Sequence, residues 1–90
     1  MNEYILDFSN ITTKEDLHEY IAETLDFPDY YGKNLDALYD CVTDLSQCSI
    51  TITGIDALYE LGQYGMRIIK VFQDAAEDNE DIELVIEDLE

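Results

Sequence analysis

The sequence predicts an α/β fold in which a small, three-stranded parallel sheet is covered by about four helices. Short apolar or β-branched runs alternate with longer runs of helical periodicity, in the order β-α-α-β-α-α-β. Helical segments between successive strands are the connections that parallel strands require. A chain of 90 residues with 47% hydrophobic residues suits one small domain, spanning residues 1–90.

The first half of the chain supplies one strand and two helices. The apolar run at residues 3–8 predicts the first strand, and a helix at about 13–25 follows it, with a threonine N-cap and acidic residues in its first turn. Pro28 and the turn residues that follow it end this helix. The second helix is expected at about 33–45, because its leucines and valine gather on one side.

The second half supplies the remaining two strands and two helices. Residues 49–54 alternate β-branched side chains and end at a glycine, which predicts the second strand. A short helix is expected at 55–61, closed by Gly62, and a longer one at 64–78. The apolar residues around 82–87 predict the third strand, so each pair of strands is separated by two helices.

The charge of the chain restricts the partners that it can bind. The sequence has 22 acidic and 4 basic residues, a formal net charge of −18. We therefore expect no binding to nucleic acid or anionic membranes, which require basic patches, and a preference for a basic partner. No secretory signal or membrane span is recognisable. Cys41 and Cys48 lack metal or redox spacing, so we expect a cytoplasmic protein with free thiols.

Few residues in the sequence suit catalysis or metal binding. The only histidine, His18, lies in the middle of the first predicted helix, where a structural or surface role is expected, and no pattern supports its pairing with Cys41. Residues 78–83 superficially resemble a calcium loop, but they lack its central glycine and its downstream glutamate. We expect no enzyme activity, no metal site and no cofactor.

Three aspartates occupy one face of the second predicted helix. Asp36, Asp40 and Asp44 lie at intervals of four, so their charges stack and repel one another by roughly 0.2–0.5 kcal/mol per pair. After Lys33 the next basic residue is Arg67, so no cation near in sequence neutralises them. Neighbouring tyrosines are typical interface anchors, since each joins a rigid ring to a hydrogen-bonding tip. From the residues alone, both a binding surface and a solvated acidic face remain possible.

The segment "FPDYYGKNLDALYDCVTD" at residues 27–44 resembles the signature segment of the barstar family, intracellular inhibitors of the secreted ribonuclease barnase. Weaker matches at 16–18, 71–75 and 82–86 extend the resemblance over essentially the whole chain, and it implies a barstar-like fold. The matching residues of the main segment are Pro28, Tyr30, Tyr31, Gly32, Asn34, Leu35, Asp36, Ala37, Leu38, Asp40, Cys41 and Thr43.

The resemblance implies an intracellular inhibitor of a basic, extracellular-type (barnase-like) ribonuclease. The acidic helix and its adjoining loop would block the active site of the enzyme in a 1:1 complex. By resemblance, Asp40 enters that active site, Asp36 is a neighbouring acidic contact, and Tyr30 packs against a catalytic histidine of the enzyme. The resemblance implies further contacts at Asn34, Thr43 and Asp74, and we expect Tyr39, Asp44 and Leu45 to bind the partner as well.

Some positions differ from the best-known member of the family. Tyr39 and Leu45 stand where that member has tryptophans, and Asp44 replaces a glycine at the same edge. Asp74 and Asp78 replace longer glutamates. These differences affect which target the protein binds, and how tightly, more than they affect the fold. An alternative function therefore stays open, in which an immunity or regulatory protein mimics nucleic-acid charge to neutralise a different basic toxin or nucleic-acid-binding protein.

Overall fold

The computed structural model describes residues 2–87 and confirms the predicted order of strands and helices. The second and third helices end slightly earlier than predicted, and the C-terminal residues 88–90 lie outside the described residues. The elements are β1 (Asn2–Asp7), α1 (Lys14–Leu25), α2 (Leu35–Thr43), β2 (Cys48–Thr53), α3 (Ile55–Tyr59), α4 (Gln63–Asp78) and β3 (Ile82–Ile86).

The three strands form one parallel sheet in the order β1-β2-β3. Its register places Leu6, Ile52 and Ile86 in one row across the sheet, and Ile5, Thr51 and Val85 in the next row. Side chains of neighbouring rows point to opposite faces. The first row belongs to the face that the helices cover, whereas Ile5 and Val85 are exposed on the other face.

The helices cover the sheet with the apolar stripes that the sequence predicts. The buried residues of α1 include Leu17, Ile21 and Leu25, those of α2 are Leu38 and Val42, and those of α4 include Ile68, Phe72 and Ala75. Each fully buried leucine, isoleucine or phenylalanine contributes about 1.5–3 kcal/mol relative to an exposed one. Within residues 2–87, no helix has the length and apolarity needed to cross a bilayer.

Both ends of α1 are capped, and this fixes the start of the loop that leads to α2. The Thr13 side chain accepts a hydrogen bond from the backbone N–H of Asp16 at 3.0 Å. Asp26 adopts the left-handed conformation (φ 58°), and its N–H donates to the carbonyl of Ala22. The chain therefore turns sharply after α1, and Phe27 N–H bonds to the same Ala22 carbonyl at 2.9 Å.

A glycine allows α3 and α4 to approach closely. A Cβ atom at Gly65 would lie 1.8 Å from the carbonyl oxygen of Leu58, so no larger residue fits without a shift of the backbone. This contact brings the end of α3 against the first turn of α4.

Candidate partner-binding surface

The side chain of Asn34 organises the start of α2. Asn34 is the N-cap, and its Oδ1 accepts a hydrogen bond from the Ala37 N–H at 2.8 Å, while its Nδ2 donates to the Gly32 carbonyl at 3.3 Å. Asp36 lies in the first turn, where a negative charge interacts favourably with the helix dipole. The residue that the family resemblance implies as a contact thus also holds the loop and the helix together.

The C-terminal end of α2 carries charges that disfavour an isolated helix. Asp40 lies in the last turn and Asp44 is the C-cap, and this last turn contains no basic residue. Carboxylates near a helix C-terminus meet the negative end of the dipole, which is destabilising. Asp36, Asp40 and Asp44 are all exposed, as predicted from their spacing.

Tyr30 and the two aspartates at the end of α2, Asp40 and Asp44, surround one groove. The groove has a volume of about 300 Å³ and lies between the loop after α1 and the outer side of α2. Tyr30 stands at its rim with 87% of its surface exposed. The residues that line the groove are Leu25, Asp26, Phe27, Pro28, Tyr30, Asp40, Cys41, Asp44 and Leu45.

Four of the residues singled out in the sequence, Tyr30, Asp40, Asp44 and Leu45, thus meet at one place. Asn34 and Asp36 instead line a separate depression beside Tyr64.

Tyr39 connects α2 to α4 through a carboxylate. It is half-buried, and its hydroxyl donates a hydrogen bond to Asp78 Oδ2. This hydrogen bond raises the pKa of Tyr39, and the negative charges of Asp78, Asp74 and Asp40 contribute as well. The ring therefore lies among acids of both helices and joins them.

The amide of Asn79 holds the end of α2. Its Nδ2 donates to the carbonyl oxygens of Thr43 at 2.8 Å and of Leu45 at 2.7 Å. The Thr43 hydroxyl donates to the Tyr39 carbonyl at 2.8 Å, so it bonds to its own helix. Asn79 follows α4 directly, and sequence reasoning did not identify it; its only signal was an asparagine at a helix C-terminus, a common capping residue.

The aspartates of α2 and α4 differ in whether a nearby cation neutralises their charge. Asp74 pairs with Lys70 at 3.4 Å, and the other ion pair of residues 2–87 joins Lys33 to Glu19 at 3.9 Å. Within that range the aspartates of α2 have no cationic partner. The acidic face of α2 is therefore exposed and free of internal ion pairs in the described part of the chain.

A buried polar cluster lies behind this surface. His18 is 2% exposed, its Nδ1 lies 2.6 Å from the Tyr31 hydroxyl, and its Nε2 is hydrogen-bonded to the Tyr64 hydroxyl. In a neutral ring one nitrogen donates and the other accepts. Burial lowers the pKa of His18, and the charge of Lys33 lowers it further. The sequence left a structural or a surface histidine open, and the structure favours the first.

The geometry offers no nucleophile activated by His18. Both ring nitrogens are bonded to tyrosines, so neither is available to the thiol of Cys41. Burial raises the pKa of Cys41, and the charges of Asp44 and Asp40 raise it further, which disfavours the reactive thiolate. Within residues 2–87, no three histidine, cysteine or acidic side chains converge in a way that could hold a metal ion.

Comparisons with known proteins agree with the resemblance seen in the sequence. The profile of a family described as "Barstar (barnase inhibitor)" matches residues 1–87. A Bacillus subtilis (strain 168) protein named "Putative ribonuclease inhibitor YrdF" is 36% identical over 91 residues, covering 97% of this chain and 100% of that protein. Both descriptions name inhibitors and not enzymes. With the parallel three-stranded sheet and four helices described above, these matches establish that the chain belongs to the barstar family.

Proposed function

We propose that this protein inhibits a basic, barnase-like ribonuclease by placing the acidic face of α2 and the adjoining Tyr30 loop in the active site of the enzyme. The observation that carries the proposal is the set of exposed aspartates on α2, which lack internal ion pairs in residues 2–87. Asp40 and Asp44 lie near the negative, C-terminal end of the helix dipole, where a negative charge destabilises the helix. Family membership and the name of the B. subtilis relative support the same function.

The chemistry of the target explains why aspartates suit this surface. A ribonuclease holds the phosphates of RNA, so its active site carries arginine, lysine and histidine side chains. The Asp40 carboxylate can occupy a phosphate position and accept charge-assisted hydrogen bonds, yet it contains no bond that the enzyme cleaves. The cations of the enzyme would also relieve the repulsion among the aspartates of α2, so binding removes a strain that folding leaves in place.

Side-chain hydrogen bonds at both ends of the helix that carries these aspartates support the proposal. Asn34 caps the start of α2, Asn79 holds its end, and Tyr39 bonds to Asp78 of α4. A surface that is ordered before binding loses less entropy in the complex. The charge of −18 would in addition draw a basic enzyme towards the inhibitor. The barnase–barstar complex is itself the reference case for such charge effects, so their expected size here follows from family membership.

The direct test is a titration of barnase activity on RNA with this protein. We expect inhibition that is complete at one equivalent, and association that slows steeply as salt is added, because salt screens the attraction. The variant Asp40→Ala should bind several kcal/mol more weakly, as expected of a central charged hot spot.

A matched variant controls for the change of net charge. Asp56→Ala removes the same carboxylate from α3, outside the α2 surface, and should inhibit like the wild type. Equal affinities of both variants would refute the proposed role of Asp40. If the folded wild type does not inhibit barnase, the proposal of a barnase-like target is refuted, and the alternative hypothesis of a different basic target remains to be tested.

A further inference from the structure

A second concave surface of the molecule lies between α3, α4 and the end of β3, and α2 contributes no residue to it. Its volume is about 780 Å³. Sites for small organic molecules typically have roughly 300–1,000 Å³ and are lined mainly by apolar side chains with a few polar groups. The apolar residues of this groove are Ile55, Tyr59, Met66, Ile69 and Ile86.

Basic residues are concentrated at this groove. The sequence has 4 basic residues, and two of them, Arg67 and Lys70, line the groove. Of the 22 acidic residues, 20 lie within the described residues 2–87, and none of these 20 lines the groove. A purely solvated surface of so acidic a protein would be expected to carry carboxylates here as elsewhere.

The two cations are neighbours on α4 and line the same groove. Residues three apart on a helix are neighbours on its surface, so Arg67 and Lys70 project from adjacent turns of α4. The Arg67 guanidinium can donate two parallel hydrogen bonds to a carboxylate. Lys70 pairs with Asp74 at 3.4 Å, but both side chains are substantially exposed, so this pair is weak and can open.

The apolar walls of the groove are incompletely covered. Tyr59 is 51% exposed and Met66 is 60% exposed. Tyrosine offers a rigid ring, and methionine adapts its shape to what it contacts. A ligand with an apolar body would remove both side chains from water.

We propose that this groove binds a small amphipathic carboxylate, whose apolar body lies against Tyr59, Met66 and Ile86 and whose carboxylate bonds to Arg67 and Lys70. The net charge of the chain repels anions at long range, but this repulsion is screened over about 8 Å at physiological salt. The contact interactions within the groove therefore select the ligand. This proposal does not rest on the ribonuclease inhibition: the groove shares no lining residue with the groove beside Tyr30 and Asp40, and the Lys70–Asp74 pair links it to one residue that the family resemblance implies as a partner contact.

The methionine content of the chain gives a sharp test. The sequence has two methionines, Met1 and Met66, so labelling with [methyl-¹³C]methionine gives two signals, and the Met66 signal reports on the groove. We expect dodecanoate, kept below its micelle concentration, to shift the Met66 signal saturably. Dodecyltrimethylammonium, which has the same chain with a cationic head, should bind at the Met66 site at least roughly tenfold more weakly. Equal or tighter binding of the cation, or shifts of both methionines without saturation, would overturn the proposal.

Two matched variants test whether Arg67 binds the carboxylate of the ligand. Arg67→Gln should weaken dodecanoate binding roughly tenfold, as expected for the loss of a charge-assisted hydrogen bond. Lys14→Gln makes the same charge change on α1 and should have no effect, since Lys14 lies over the Tyr64 ring and outside the groove. Unaltered affinity of Arg67→Gln would refute the assignment of the carboxylate to this residue. Ribonuclease inhibition by Arg67→Gln should equal that of the wild type.

Discussion

Tyr30 and Tyr31 are consecutive in the chain, yet Tyr30 is 87% exposed and Tyr31 is 8% exposed. The ring of Tyr31 packs against Phe27 with centroids 5.0 Å apart, and its hydroxyl meets His18 Nδ1 at 2.6 Å. Its backbone N–H also donates to the Pro28 carbonyl at 3.0 Å. Tyr30 instead stands at the rim of the groove beside Asp40.

The contrast shows how one short loop combines a buried anchor with an exposed side chain that is available to a partner. Burial of Tyr31 anchors the loop from the inside, so we expect little remaining freedom in the backbone of the neighbouring, exposed Tyr30. A partner that covers Tyr30 then gains contact area at a low cost in entropy. Substitutions at the two positions should therefore separate stability from affinity.

The largest expected effect on stability comes from Tyr31→Ala. Removal of a buried aromatic ring typically lowers the free energy of unfolding by about 3–5 kcal/mol, because a cavity replaces its contacts. Tyr30→Ala should change stability by no more than about 0.5 kcal/mol, as is usual for an exposed site. It should weaken ribonuclease binding by about 2 kcal/mol, the size of an aromatic hot spot.

Urea unfolding and inhibition titrations of both variants measure these effects. If Tyr30→Ala unfolds as easily as Tyr31→Ala, or inhibits like the wild type, the two tyrosines do not divide their roles as the structure indicates.

A smaller effect is expected when only the hydroxyl of Tyr31 is removed. Tyr31→Phe keeps the ring but leaves His18 Nδ1 without its partner in a buried position. An unpaired buried polar group costs about 1–3 kcal/mol of stability. Tyr30→Phe is the matched control, and its unfolding free energy should equal that of the wild type. Equal stability of Tyr31→Phe and the wild type would show that another group or water satisfies His18.

The smallest of the three effects is a dependence of stability on pH, since protonation leaves the packing of the cluster intact. The pKa of His18 is lowered from its ordinary value of 6.5 by burial and by the charge of Lys33, and the ring otherwise faces Tyr31 and Tyr64. Between the lowered pKa and 6.5 the unfolded chain binds a proton that the folded chain does not bind. The stability contributed by neutral His18 is therefore complete above pH 6.5 and is lost as the pH falls through this window.

Urea unfolding between about pH 5 and 8, the range in which histidine titrates, measures this dependence. His18→Gln lacks the ionisable ring, so its unfolding free energy should change less over the same range. Parallel pH profiles of the wild type and His18→Gln would assign the dependence to other groups.

The fold was largely predictable because its signals are periodic and local. The stripes of Leu17, Ile21 and Leu25 on α1 and of Ile68 and Phe72 on α4 repeat at helical spacing, and burial follows from that repeat. The division between Tyr30 and Tyr31 was not predictable in this way. It depends on the path of a loop in which Asp26 and Lys33 have positive φ, and tertiary contacts determine that path.

The acidic surface was predictable in part for the same reason. Intervals of four place Asp36, Asp40 and Asp44 on one exposed face of a helix, and this spacing is visible in the sequence. The bonds that hold the helix join residues far apart in the chain, as Tyr39 to Asp78 and Asn79 to Thr43. Such pairs depend on how α2 and α4 pack together, and no local pattern encodes them.

The hydrogen bonds from Asn79 to α2 also determine when the proposed surface matures during synthesis. A ribosome makes the chain from its N-terminus, so the acidic face of α2 emerges well before residue 79. Until then the carbonyls of Thr43 and Leu45 lack the amide that holds them. A nascent chain thus carries the aspartates on a helix whose end is not yet held, and we expect the proposed surface to reach its final form only when Asn79 has left the ribosome and α4 packs against α2.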